Sequence, residues 1–118
     1  MDYKRQVDEI ANYFKVNEKS LDNFKIGVEL EHFVIDLDTL KTISYYGDAG
    51  VAETLKDLEK IGYKGMYEGQ YILGLTKGNK TVTLEPGSQF ELSIEATISI
   101  KELEEEYLDF LKDVIPIL

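Results

Sequence analysis

Residues 83–93, with the sequence TLEPGSQFELS, join two β-type segments through a Pro-Gly turn. In the second segment polar residues alternate with apolar ones, namely Gln89, Glu91 and Ser93 with Phe90, Leu92 and Ile94. Successive side chains of a strand point to opposite faces, so this pattern predicts a strand with one apolar and one polar face. Glu85 stands just before the turn, which could bring it near Glu91.

The residues before this stretch are predicted to form further strands. Residues 71–76 and 81–85 are rich in β-forming side chains, and the sequence KGNK at residues 77–80 has turn chemistry, which together indicate a hairpin. Residues 26–35 alternate and are enriched in Val, Ile and Phe, so they are predicted to form another strand. Residues 20–25 are a connector, and residues 36–50 are expected to be irregular.

Three helices are predicted around this sheet. The first has an apolar stripe at helical spacing, made by Val7, Ile10, Ala11 and Phe14. The second spans residues 51–61, with Gly62 as its C-terminal cap. The third spans residues 99–115, where Ser99 and Glu102 match a capping box. The pattern predicts one domain over residues 1–118, of the α+β class, with an antiparallel sheet and helices on one face.

Composition excludes several function classes. The 118 residues contain 23 acidic and 13 basic side chains, giving a net charge of −10, which argues against a nucleic-acid partner. Cysteine is absent, so thiol catalysis and zinc-thiolate sites are excluded. No apolar run approaches the length of a membrane span, and the first ten residues lack the apolar core of a signal peptide. By default we expect no membrane association and a cytoplasmic location.

The strand at residues 26–35 carries two acids on one face. Glu29 and Glu31 are two residues apart, so their side chains project from the same side, roughly 7 Å apart along the backbone. Like charges so placed repel, and a cation held beside them would remove that cost. The alternative is a solvated strand face that carries acids and binds nothing.

A second pair of acids, Glu85 and Glu91, leads to the hypothesis of a metal site. Glu85 and Glu91 can approach Glu29 and Glu31 if the two segments pair in one antiparallel sheet. Carboxylates without thiolates are hard oxygen ligands, which suit Mg²⁺ or Mn²⁺ rather than zinc or copper. The lone histidine, His32, lies on the opposite strand face with apolar residues, so we expect it to be packed rather than ligating.

Two motifs resemble the plant-type glutamate–cysteine ligase family. Residues 84–93, LEPGSQFELS, resemble that family's LEPGGQFELSG, and residues 27–33, GVELEHF, resemble its GxEHEKF strand at the expected distance upstream. The departures are Leu30 for His, His32 for Lys, Ser88 for Gly and Ile94 for Gly. The four acids are retained, so the resemblance implies that the metal-binding role is kept.

The resemblance implies a fold like that of glutamine synthetase, in which an antiparallel sheet curves into a funnel, here present in part. It implies ATP- and Mg²⁺-dependent ligation of glutamate, through γ-glutamyl phosphate, to the amine of cysteine in glutathione biosynthesis. By carry-over, Glu29, Glu31, Glu85 and Glu91 would be ligands of Mg²⁺, with Mn²⁺ as a substitute. Gln89 would contact substrate, and no catalytic acid or base is assigned.

Length limits what the resemblance implies, because enzymes of this family are several-fold longer. We therefore expect the chain to be the N-terminal part of a ligase-like catalytic domain and inactive by itself. Its partners would be a complementary ligase fragment or further copies of itself. The alternative is a non-catalytic, stand-alone relative that acts as a binding or dimerisation module.

Overall fold

The structure, a computed structural model, describes residues 2–118 and confirms the α+β class. Its helices are α1 (Tyr3–Val16), α2 (Val51–Glu59) and α3 (Ile100–Val114). Its strands are β1 (Ile26–His32), β2 (Lys64–Glu68), β3 (Tyr71–Lys77), β4 (Lys80–Glu85) and β5 (Gln89–Thr97). A short 3₁₀ turn, Leu21–Asn23, interrupts the connector between α1 and β1.

All five strands belong to one antiparallel sheet in the order β1-β5-β4-β3-β2. Strands β2 to β5 follow one another as neighbours, and β1 joins at the far side of β5. In this last pairing Glu31 lies opposite Glu91 and His32 opposite Phe90. The sheet is therefore open, with β1 and β2 as its edges, and the two sequence motifs lie on adjacent strands. Whether this sheet is part of a funnel stays a prediction.

Helices α2 and α3 cover one face of the sheet and make the core with it. The alternation in β5 decides which side is buried: Phe90, Leu92 and Ile94 are at most 4% exposed. They pack with the apolar stripes of the two helices, of which Leu55, Leu58, Leu103 and Phe110 are the largest buried members. Burial of this apolar area is the main stabilising term of the fold.

Charged groups fix α3 against the sheet beside this core. Lys80 of β4 is 6% exposed and contacts the carboxylates of Glu106 and Asp109. Burial lowers the pKa of the Lys80 ammonium, but the hydrogen bonds to these two acids outweigh it, so the pKa lies above its ordinary value. Lys77 bonds Asp113 at 2.7 Å, and the Tyr63 hydroxyl donates to the same carboxylate at 2.9 Å.

The sequence prediction missed β2 altogether. Its five residues include Gly65 and polar ends, so neither alternation nor β-propensity marks it, and pairing with β3 defines it. The strand predicted at residues 26–35 ends earlier, at His32. Beyond it, Ile35 forms an isolated antiparallel bridge with Thr42, outside the five strands of the sheet.

The helix ends agree with the sequence in part. α2 stops at Glu59 rather than at residue 61, and Gly62 has the positive φ of +98° expected of a C-terminal cap. Ser99 caps α3 by accepting a hydrogen bond from the Glu102 N–H at 3.3 Å. The second half of the predicted capping box is wrong, because the Glu102 carboxylate bonds the Thr97 hydroxyl.

α1 is a helix as predicted, yet its apolar stripe packs against no core. None of the residues Tyr3–Val16 is buried, and the prediction of helices on one sheet face holds for α2 and α3 only. Within residues 2–118, no helix combines the length and the apolar character that crossing a membrane requires.

Candidate functional site: an acidic sheet face

The sheet face opposite α2 and α3 carries the predicted site residues. Within residues 29–31, 81–85 and 89–93, the side chains on this face are polar, and we call Glu29, Glu31, Glu85, Glu91 and Gln89 the acidic face. Residues directly opposite each other in an antiparallel pair share a face. The register places Glu31 opposite Glu91 and Glu85 opposite Gln89, so all four acids lie on one side of the sheet.

The Glu31 and Glu91 pair is the centre of the acidic face. Directly opposite side chains have Cβ atoms about 4.5–5.5 Å apart, and two carboxylates so placed repel. Each accepts one hydrogen bond: the Gln89 amide donates to Glu31 Oε2 at 3.3 Å, and the Thr83 hydroxyl donates to Glu91 Oε1 at 3.1 Å. Each carboxylate therefore keeps oxygen lone pairs that can bind a cation.

The other two acids flank this pair. Glu29 lies one strand period from Glu31 and opposite Ser93, whereas Glu85 lies at the end of the β4–β5 hairpin. The hairpin turn is tight, with φ of +82° at Gly87 and +61° at Ser88. The left-handed region favours glycine, which is the residue that the resembling motif has at position 88.

The acidic face could supply two of the ligands of a magnesium ion, provided that a bound ligand and water supplied the others. Within residues 2–118, no group of three or more carboxylates or imidazoles is placed so as to hold a metal ion by itself. Mg²⁺ usually takes one or two protein carboxylates and completes its sphere with water and substrate phosphates. Glu31 and Glu91 can supply those two carboxylates, with Glu29 and Glu85 contributing negative charge nearby.

His32 lies on the other side of the sheet, as predicted. Its Nδ1 is 3.2 Å from the Phe90 carbonyl oxygen and its Nε2 is 3.0 Å from the Tyr107 hydroxyl. Since a carbonyl oxygen only accepts, the tautomer of a neutral ring that satisfies both contacts has its proton on Nδ1, and Nε2 then accepts from the Tyr107 hydroxyl. Both ring nitrogens are used in linking β1 to β5 and α3, so His32 is a packing residue.

Sequence reasoning missed Thr83 as part of the site. Its hydroxyl holds the Glu91 carboxylate, and a row of hydroxyl side chains continues beside it across Thr76, Thr81 and Ser93. The available signal was the spacing to Glu85: a residue two positions earlier on the same strand shares its face. These threonines widen the polar face but add no charge.

Comparison with known proteins adds to the two motifs. The chain is 34% identical over 87 residues to the chloroplastic glutamate–cysteine ligases of Arabidopsis thaliana and Brassica juncea. It is 33% identical over 86 residues to chloroplastic glutamate–cysteine ligase A of rice, Oryza sativa. The chain is a short relative of the plant glutamate–cysteine ligases. The match covers 73% of this chain but only 16% of the Arabidopsis ligase, and no family model matches the chain.

The names of these ligases correct one prediction. Plant glutamate–cysteine ligases matched by the chain are named chloroplastic, so the expected cytoplasmic location is wrong. That expectation rested on the absence of a signal peptide and of a membrane span. These two absences do not distinguish the cytoplasm from other aqueous compartments, such as the chloroplast stroma.

Proposed function

We propose that the acidic face binds a divalent cation, Mg²⁺ or Mn²⁺, together with the phosphates of ATP and with glutamate. The observation that carries this proposal is the register of β1 and β5, which sets Glu31 directly opposite Glu91. Two facing carboxylates attract a hard cation because it removes their mutual repulsion. The relationship to glutamate–cysteine ligases supports glutamate as a ligand, and ATP is what the resemblance of the two motifs implies.

The proposed chemistry of the complete site is an ATP-dependent ligation in two steps. The γ-carboxylate of glutamate attacks the terminal phosphorus of ATP, ADP leaves, and γ-glutamyl phosphate forms. The amine of cysteine then attacks this acyl phosphate, the bond between the carbonyl carbon and the phosphate oxygen breaks, the amine proton passes to the departing phosphate, and γ-glutamylcysteine results. When bound, Mg²⁺ neutralises phosphate charge and orients the phosphates, and phosphoryl transfer depends mostly on such positioning.

The roles of this chain's residues follow from their places on the face. Glu31 and Glu91 would hold the cation, and Glu29 and Glu85 would add to the negative field that concentrates it. The Gln89 amide donates a hydrogen bond to Glu31, so it can orient that carboxylate. After a rotamer change, the same amide could donate to a carboxylate of the substrate. None of these residues has to transfer a proton in this scheme.

The 118-residue chain by itself is proposed to bind ligands without completing the ligation. It spans 16% of the Arabidopsis ligase it matches, and an enclosed site is not formed on an open sheet face. Exclusion of water protects reactive acyl phosphates from hydrolysis. Turnover would therefore require a complementary ligase fragment to cover the acidic face.

Calorimetric titration of the chain with Mg²⁺-ATP tests the proposal. We expect measurable binding that Glu91→Gln weakens at least tenfold, because an amide has no charge and only one oxygen for the cation. The matched control is Glu104→Gln, which removes one exposed carboxylate from α3 on the other side of the sheet. Absence of binding to the wild-type chain, or equal affinities of the two variants, would reject the proposal.

A non-catalytic binding or dimerisation module is the second candidate. The observation that favours it is the exposed apolar stripe of α1, which metal and nucleotide binding do not explain. Under this alternative the wild-type chain would show no affinity for Mg²⁺-ATP while still binding a protein partner.

A further inference from the structure

Helix α1 exposes a stripe of apolar side chains to solvent. Tyr3, Val7, Ile10 and Phe14 lie along one side of the helix, and each is between 56% and 75% exposed. A helix of 14 residues is about 21 Å long and is marginally stable in water without tertiary packing. Packing of the stripe against another surface would therefore stabilise the helix.

The same chain presents an apolar groove elsewhere. The groove has a volume of about 580 Å³ and lies between the segment after β1 and the C-terminal end, where its apolar lining includes Phe33, Ile35, Leu37, Ile43, Ile115 and Leu118. Four of these, Phe33, Leu37, Ile115 and Leu118, are 60% or more exposed. No residue of α1 lines the groove.

Charge also matches between the two surfaces. α1 contains three basic and two acidic residues, whereas the whole chain has a net charge of −10. Asp36 and Asp38 are among the residues that line the groove. A helix with an apolar stripe and more basic than acidic residues thus complements a mostly apolar groove that contains two aspartates.

The shape of the chain argues against contact between a helix and its own groove. The radius of gyration is 19.3 Å and the longest extent is 59 Å, whereas a compact chain of this length has a radius of gyration of about 13–14 Å. The connector contains the turn Leu21–Asn23, where the Asn23 amide donates to the Ser20 hydroxyl at 3.0 Å. The connector thus carries α1 away from the body.

We propose that two copies of this chain form a symmetric dimer in which each α1 packs into the groove of the other copy. Reciprocal exchange places two helices and two grooves in one closed interface. Stable protein interfaces bury roughly 1,200–2,000 Å² in total, and reciprocal exchange doubles the area that a single helix–groove contact buries. The proposal is independent of metal binding, since the helix and the groove contain none of the acidic face.

Sedimentation equilibrium of the full chain tests the dimer. We expect a mass of twice 13.5 kDa at roughly 10–100 µM, and dissociation constants raised at least a hundredfold by Ile10→Asp in the helix or by Leu37→Asp in the groove. Both side chains are well exposed, so circular dichroism should show that each variant still folds. Asn12→Asp is the matched control, because it adds the same charge on the opposite side of α1 and should leave the dimer intact.

Mixing the two variants provides the sharper measurement. Each alone should be a monomer, whereas the mixture should contain heterodimers, since the groove of the Ile10→Asp chain is intact and accepts the intact helix of the Leu37→Asp chain. A monomeric wild-type chain at 100 µM would overturn the proposal, whether its helix is folded back or free. A dimer that neither substitution weakens, or a mixture without heterodimers, would also overturn it.

Discussion

Phe110→Ala is expected to destabilise the folded chain by about 3–5 kcal/mol, the range for aromatic truncation in a packed core. Phe110 is 1% exposed, and its ring lies 5.9 Å from the His32 ring of β1. Since His32 also bonds the Phe90 carbonyl of β5, the cavity would loosen the strand pair that carries Glu31 and Glu91. Urea denaturation followed by circular dichroism measures this loss.

The control for Phe110 is its neighbour on α3. Leu108→Ala removes a side chain that is 47% exposed, so it should cost less than about 1 kcal/mol. Equal effects of the two substitutions would show that α3 does not pack on the sheet as described. A Phe110→Ala variant of wild-type stability would contradict the core directly.

Glu31→Lys is expected to abolish stabilisation by Mg²⁺-ATP while strengthening the metal-free fold. The ammonium would face Glu91 across the strand pair, which replaces a like-charge pair by an opposite-charge pair worth a few tenths to about 1 kcal/mol. The wild-type chain should gain about 2.7 kcal/mol when ligand is present at a hundred times its dissociation constant. The variant should gain none. Thermal unfolding with and without Mg²⁺-ATP measures both effects.

The matched control is Glu68→Lys at the sheet edge formed by β2. This substitution makes the same change in net charge on an exposed strand residue far from the acidic face. It should leave the gain from Mg²⁺-ATP nearly unchanged, because Glu68 lies at the opposite sheet edge from the facing carboxylates. Since the net charge changes equally in both variants, this substitution controls for net charge. If the two variants lost the gain to the same extent, net charge rather than the facing carboxylates would hold the cation.

Local pattern was sufficient for most of the fold. The alternation in β5 predicts which side chains are buried, because period two leaves only one assignment of faces. The pattern could not reveal β2, whose five residues are defined by pairing with β3. Periodicity also identified α1 but could not show that its stripe lies outside the core, since the same spacing serves a core or a partner.

For the acidic face, too, the sequence predicted which residues share a face but not how close they lie. Alternation places Glu29 with Glu31 and Glu91 with Gln89, but the adjacency of β1 and β5 joins residues about sixty positions apart and required the motif resemblance. Alternation assigns side chains to a face but does not give the distances between them. It therefore could not show that, within residues 2–118, no three of the acids lie close enough together to hold a metal ion by themselves. Hydrogen bonds from Thr83 and Gln89 depend on side-chain packing across strands.

Paramagnetic broadening by Mn²⁺ tests most directly whether the acidic face holds a divalent cation. In ¹⁵N-labelled protein, substoichiometric Mn²⁺ added with ATP should broaden the amide signals of residues 29–31, 83–85 and 89–93 first. Helix α3 offers a rival acidic cluster on the other side of the sheet, with Glu102, Glu105 and Glu106. Broadening that begins in α3, or that is uniform over the chain, would contradict the proposed site.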